Sequence, residues 1–78
     1  PNPFNPATQF TFEIPQNEEV QLSVYDLKGR VITTLYSGEI KAGYHEMKWN
    51  AATQASGVYF VKLSSANTQI TKKIILMK

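Results

Sequence analysis

The chain has 78 residues, of which 42% are hydrophobic and 18% charged, with a formal net charge of +2 and no cysteine. A domain of this size buries only about 60% of the surface that its unfolded chain exposes, which excludes a deep catalytic cleft. The lack of cysteine excludes disulfides and thiolate metal sites, and no apolar run reaches the roughly 18 residues of a membrane helix. We therefore expect one domain over residues 1–78, with no direct membrane insertion.

Apolar and polar residues alternate with period 2, and no window shows helical periodicity, so the sequence predicts strands throughout. In chain order the predicted strands cover residues 8–14, 19–26, 30–36, 39–41, 44–50, 57–63 and 68–77. About seven short strands separated by turn residues predict an all-β, antiparallel, immunoglobulin-like β-sandwich. A closed barrel is the alternative architecture.

Three of these elements carry specific expectations. Gly29 is predicted to supply the positive φ of the turn after the second strand. Ile32 and Leu35 are three positions apart in the third strand, so they cannot share one face without a bulge. The last strand is apolar on both faces over residues 74–77, which predicts a covering partner on each side.

The alternation also predicts which side chains point inward. Trp49 and Tyr59 belong to the inward set, which leaves Tyr25, Tyr36, Tyr44 and Phe60 as exposed rings that could form a sugar platform. The residues expected to fill one core between two sheets are Phe10, Phe12, Val20, Leu22, Val24, Trp49, Tyr59, Val61 and Leu63.

Residues with catalytic or metal-binding chemistry are scarce. His45 is the one histidine, and it alternates with Met47 and Trp49, so it is expected to be a half-buried strand residue rather than a base or ligand. Glu18 and Glu19 are adjacent and point to opposite faces of a strand, so they are expected to be solvated turn charges rather than an acid/base pair. The sequence therefore predicts no enzyme activity, no cofactor and no metal site.

Positive charge is concentrated in the second half of the chain. No acid follows Glu46, whereas five lysines do: Lys48, Lys62, Lys72, Lys73 and Lys78. A nucleic-acid partner is not expected, because such surfaces normally combine arginine with a known motif and Arg30 is the one arginine. The alternative is that lysines on exposed strands discourage edge-to-edge aggregation.

Four segments, in this order and spacing, resemble one family. The chain resembles the C-terminal sorting domain (type A) of the bacterial type IX secretion system, whose fold is similar to the immunoglobulin-like domain of flagellar hook-capping proteins. The segments are Pro1–Pro6, Val24–Arg30, Ala42–Asn50, and Ser56–Val61 with the lysines from Lys72 to Lys78. Physically, the prolines of the first segment make a stiff, extended entry.

This resemblance implies a function in protein transport. The chain would be a C-terminal signal that directs a cargo, attached on its N-terminal side, through the outer-membrane translocon, and a sortase-like peptidase would then remove it. The cargo would pass through the periplasm and end on the cell surface or outside the cell, and Lys78 would be the natural C-terminus. The alternatives are a non-catalytic immunoglobulin-like accessory module of a secreted multidomain enzyme, as a spacer or a carbohydrate binder, and a hook-capping fragment.

Recognition by the translocon is expected on the final hairpin, where the closing family motif coincides with the unopposed positive charge. A terminal strand with spaced lysines offers both edge hydrogen bonds and charge to a partner. The alternative is that these lysines only keep an edge strand soluble. The residues predicted to be recognised are Gly57, Tyr59, Val61, Lys72, Lys73 and Lys78.

Overall fold

A computed structural model describes residues 7–77 of the chain. The predicted opening segment Pro1–Pro6 and the predicted recognition residue Lys78 therefore lie outside the described residues. Within 7–77 the structure is all-β, with 71% of the residues in strands and no helix. The strands are β1 (Ala7–Ile14), β2 (Glu18–Asp26), β3 (Val31–Ile40), β4 (Gly43–Asn50), β5 (Gly57–Ser64) and β6 (Gln69–Leu76).

The strands form two antiparallel sheets. One sheet pairs β1 with β4, and the other has the order β3-β2-β5-β6. The shortest dimension of the molecule, 16 Å, suits two sheets stacked about 10 Å apart. The prediction of an all-β fold made of two antiparallel sheets is therefore confirmed.

A single cluster of buried side chains fills the space between the sheets. All nine side chains predicted to be in the core belong to it, and none of them is more than 8% exposed. Period-2 alternation is sufficient for these nine residues, because within each strand they occupy alternate positions and so share its inward face. Four further residues complete the buried cluster: Ile14, Ile40, Ala51 and Leu76.

The third strand is longer than the sequence predicted, which corrects the number of strands. Ser37 and Gly38 were expected to form a turn before a separate strand at residues 39–41, but β3 continues through them. Gly38 has a φ of 140° and still pairs with Val20 of β2. A glycine of this kind bends a strand without ending it, so the described residues form six strands rather than seven.

The bulge predicted in this strand is confirmed. The pairing of β2 with β3 shifts register twice, and the two residues of β3 left without a partner are Leu35 and Ile32. Each extra residue reverses once the alternation of side chains between the two faces of the sheet. Both side chains therefore pack, half-buried, against the core, although they are three positions apart.

Glu18 was predicted to be a solvated turn charge, and this prediction was wrong. Strand β2 begins one residue earlier than expected, with Glu18 paired to Ile40, so the Glu18 side chain shares the inward face of Val20. It is only 8% exposed. Glu19 is exposed, as expected.

The last strand is covered on one face rather than on two. Strand β6 is an edge strand whose Ile74 and Leu76 face the core, while Ile75 is 63% exposed and Met77 is 74% exposed. The prediction of a partner on each side of β6 is therefore not met by any part of the chain that the structure describes.

Candidate recognition surface

The predicted recognition residues are brought together by the β5–β6 hairpin. Its pairing runs from Gly57 opposite Leu76 to Ser64 opposite Gln69. The connecting turn is closed by a hydrogen bond from the Ser65 N–H to the Thr68 carbonyl, at 2.8 Å. Because β2 pairs with the other edge of β5, the hairpin presents one face to the core and one face to solvent, and no other strand within residues 7–77 pairs with the outer edge of β6.

Glu18 holds the turn of this hairpin against the start of β2. Its Oε1 accepts a hydrogen bond from Ser65 Oγ at 2.8 Å, and its Oε2 accepts one from Thr68 Oγ1 at 3.0 Å. Ser65 Oγ also accepts the Thr68 N–H, at 2.9 Å. The carboxylate thus joins residues about 50 positions apart in the chain, a contact that no local sequence pattern predicts.

Two of the predicted residues are part of the core. Tyr59 is 6% exposed and Val61 is fully buried. The Tyr59 hydroxyl donates a hydrogen bond to the Ala55 carbonyl at 2.6 Å. Their side chains therefore set the shape of the hairpin from inside. Gly57 is exposed at the start of β5, where the strand begins with a φ of 157°.

The two adjacent lysines of β6 point to opposite faces. Lys72 pairs with the buried Val61 and is half-buried on the inward face, whereas Lys73 pairs with Phe60 and is exposed on the outward face. The Lys72 ammonium donates a hydrogen bond to the Thr11 carbonyl of β1 and lies 5.2 Å from the centroid of the Phe12 ring. Lys72 therefore ties the two sheets together, and of this pair Lys73 is the one accessible to a partner.

The outward face of the four-stranded sheet holds further residues besides the six predicted to be recognised by the translocon. Tyr25 of β2 pairs with Phe60 of β5, and Phe60 pairs with Lys73 of β6. Lys62 lies on the same face, with its ammonium 5.1 Å from the centroid of the Tyr25 ring. Because Val61 is buried, alternation along β5 predicts that Phe60 and Lys62 point outward. That Tyr25 lies beside them follows only from the strand order.

The turn between β2 and β3 is held by Asp26. Its Oδ1 accepts the backbone N–H groups of Lys28 and Arg30, each at 2.9 Å, and its Oδ2 accepts Arg30 Nε at 2.8 Å. The backbone N–H of Arg30 lowers the pKa of the Asp26 carboxyl more than its guanidinium or the Lys28 N–H does, against an opposing effect of burial. Gly29 has a φ of 83°, as predicted for this turn.

A shallow hollow of about 300 Å³ lies between this turn and the start of β5, with Asp26, Arg30 and Gly57 on its wall. The hollow is small and open, and the Asp26 carboxylate on its wall is already hydrogen-bonded within its own turn. It therefore offers a groove at the end of the outward face rather than a pocket for a small molecule.

The four rings considered for a sugar platform do not share one surface. Tyr25 and Phe60 are neighbours on the outward face of the larger sheet. Tyr36 packs half-buried against the core, and Tyr44 is 78% exposed on β4 of the other sheet. A platform needs several rings side by side, so this arrangement gives no specific support for the carbohydrate-binding alternative.

Residues 7–77 contain no group of three or more histidine, cysteine, aspartate or glutamate side chains placed to hold a metal ion. His45 is half-buried, and its Nε2 lies 2.6 Å from the Lys41 carbonyl oxygen. No helix in the described part of the chain has the length and apolar character needed to span a membrane.

The family model of the secretion system C-terminal sorting domain matches residues 1–77. Neither the curated proteins nor the solved structures contain a significant match. Because the family match covers nearly the whole chain, the chain belongs to the C-terminal sorting domain family of type IX secretion. Members of this family are sorting signals rather than catalysts, and the signal implies export to the cell surface or the extracellular space.

Proposed function

We propose that this member of the type IX C-terminal sorting domain family is a single immunoglobulin-like domain, over residues 1–78, that carries an N-terminally attached cargo through the outer-membrane translocon. The cargo passes through the periplasm, and a sortase-like peptidase then removes the domain. The observation that carries this proposal is the family match over residues 1–77. The two packed antiparallel sheets are consistent with the immunoglobulin-like part of the proposal.

The β5–β6 hairpin is the proposed recognition element, and its predicted residues contribute in two ways. Tyr59, Val61 and Lys72 support the hairpin from the core side, which keeps its outward face in shape. Lys73 and the backbone at Gly57 are exposed and are available to a partner. Lys78, outside the described residues, is retained as part of the proposed set.

A secretion assay tests this function directly. A folded reporter is fused in front of the whole chain and expressed in a cell with an intact type IX system, in the same cell without the translocon, and in one without the sortase-like peptidase. We expect the reporter outside the first cell, in the periplasm of the second, and still joined to the chain in the third. Secretion that does not depend on the translocon would refute the transport function, and loss of the chain without the peptidase would refute the proposed cleavage.

A further inference from the structure

The outward face of the four-stranded sheet is apolar at one end. Its residues come from all four strands, and pairing places Val31 opposite Tyr25, Tyr25 opposite Phe60, and Val58 opposite Ile75. Val31 is 57% exposed and Ile75 is 63% exposed, while the other three are half-buried. We call these five residues the outer patch. Contiguous exposed apolar surface of this kind marks interaction sites.

Two lysines border the outer patch without an acidic partner. Lys73 pairs with Phe60, and Lys62 lies over the Tyr25 ring. Within residues 7–77 the one salt bridge joins Asp26 to Arg30, so neither lysine is neutralised by a carboxylate of the part of the chain described here. An apolar centre with a charged rim is the usual anatomy of a protein–protein interface.

On the basis of the proposed function, we infer that the outer patch docks onto a protein of the export machinery whose contact surface is apolar and is bordered by carboxylates opposite Lys62 and Lys73. The apolar residues would supply the buried area of this contact. The two lysines would set its orientation and speed its formation through charge complementarity. Lys72 takes no part in the contact, because its ammonium is bound on the other face of the sheet.

A second copy of the chain fits this surface less well. The opposite end of the same face is polar and acidic, with Gln21 paired to Ser64 and Glu19 paired to Glu39. Two copies placed patch against patch would bring their lysines together. Two copies shifted so that the lysines meet the glutamates would place the outer patch against the polar end. A contact between two copies can therefore either bury the apolar outer patch or pair the lysines with the glutamates, but it cannot do both.

An anionic membrane also fits less well. Tyr25 and Glu19 are six residues apart on one strand, which corresponds to about 20 Å. A flat membrane that touched the outer patch broadly would therefore also approach Glu19 and Glu39 on the same face. These like charges would oppose the contact, whereas a protein surface of limited extent need not reach them.

The test uses the same reporter fusion with matched variants on the two sheets. On the outer patch and its border, the variants are Lys62→Glu with Lys73→Glu, and separately Ile75→Thr. The controls lie on β4 of the other sheet, where Lys48→Glu reverses one exposed lysine, half the charge change of the double variant, and Tyr44→Thr removes a large side chain that is 78% exposed against 63% for Ile75. Melting temperatures of all whole-chain variants verify that none has unfolded.

We expect both outer-patch variants to lower the rate of reporter secretion about tenfold, which corresponds to the loss of about 1.4 kcal/mol that is typical of the minority of interface residues that dominate a contact. Lys73→Arg and both β4 controls should keep the wild-type rate. If the wild type is secreted through the translocon and folded outer-patch variants are secreted equally well, the docking inference is wrong while the proposed function stands. If secretion of the wild type does not need the translocon, the proposed function itself fails.

Two binding measurements test whether a second copy of the chain or an anionic membrane binds the outer patch instead. Sedimentation velocity of the whole chain should show a monomer, and its cosedimentation with vesicles of equal parts phosphatidylglycerol and phosphatidylcholine should be no greater for the wild type than for the Lys62→Glu, Lys73→Glu variant. A dimer that Ile75→Thr dissociates would assign the outer patch to a second copy. Vesicle binding that the lysine variant abolishes would assign it to the membrane. Either result overturns the inference.

Discussion

Trp49 of β4 and Tyr59 of β5 meet edge to face across the two sheets, with ring centroids 5.2 Å apart and an interplanar angle of 65°. Both rings are buried, at 3% and 6% exposure. Edge-to-face pairs add about 0.5 to 1.5 kcal/mol beyond the area that they bury. This contact is a direct link between the smaller sheet and the strand at the centre of the candidate recognition surface.

Trp49→Ala should leave the chain largely unfolded. Removing a buried aromatic side chain costs about 3 to 5 kcal/mol, which is comparable with the whole stability of a small domain. A thermal scan by far-ultraviolet circular dichroism measures the effect, with Tyr44→Ala as the control because Tyr44 is 78% exposed. A cooperative melt at the wild-type temperature in the Trp49 variant would contradict the packing described here.

Glu18→Gln should destabilise the chain, and Glu19→Gln should not. The Glu18 carboxylate accepts hydrogen bonds from two hydroxyl groups in a buried position, and disturbing such a group costs about 1 to 3 kcal/mol. The neighbouring Glu19 is exposed and undergoes the same chemical change. Urea unfolding of both variants gives the comparison, and equal midpoints would mean that the buried contacts of Glu18 add nothing to stability.

The sequence predicted the core well because burial on one face of a strand imposes period 2, and this rule needs only local information. The bulge at Ile32 and Leu35 was predictable for the same reason, since the pattern itself breaks there. The extra turn predicted at Ser37-Gly38 failed because a glycine can bend a strand as well as end it. Only the pairing of Gly38 with Val20 distinguishes the two outcomes.

The recognition surface was less predictable, because it depends on which strands become neighbours. Adjacent lysines at 72 and 73 look equivalent in the sequence, yet one binds β1 and the other faces solvent. Which of the two lysines faces the core depends on which face of β6 points inward. The sequence of β6 does not decide this, because apolar residues lie on both of its faces. Tyr25 likewise gains its role only through the β2–β5 pairing, a contact between distant segments.

The turn held by Asp26 should make the chain less stable in acid. The pKa of the Asp26 carboxyl is lowered in the fold, chiefly by the Arg30 N–H, so the ionised form binds its partners more strongly than the protonated form does. The contribution of the ionised Asp26 carboxyl to the stability of the fold is complete above the ordinary carboxyl pKa of about 4. It is lost as the pH falls through the lower pKa of the folded state.

Asp26→Asn isolates this effect. The urea midpoint of the wild type should exceed that of the variant by the largest amount at neutral pH. This difference should shrink at pH values below about 4. Glu13→Gln is the matched control, because it removes one exposed carboxylate on β1 and makes the same change in net charge. A wild-type advantage that is constant across the acid range would show that the charge of Asp26 does not stabilise this turn.

Lys72→Gln should lower stability, whereas Lys73→Gln should leave it unchanged. The Lys72 ammonium donates to the Thr11 carbonyl of β1 and lies against the Phe12 ring, and losing a charged hydrogen bond with a cation–π contact costs about 1 to 2 kcal/mol at a half-buried site. In a chain of this length, that loss lowers the melting temperature by several degrees. Lys73 makes no such contact with any other residue of 7–77. The secretion assay should give the opposite order, because the Lys73 variant changes the contact proposed for the export machinery, and the Lys72 variant changes only the tie between the sheets. Equal thermal shifts for both variants would contradict the separation of roles between the two faces of β6.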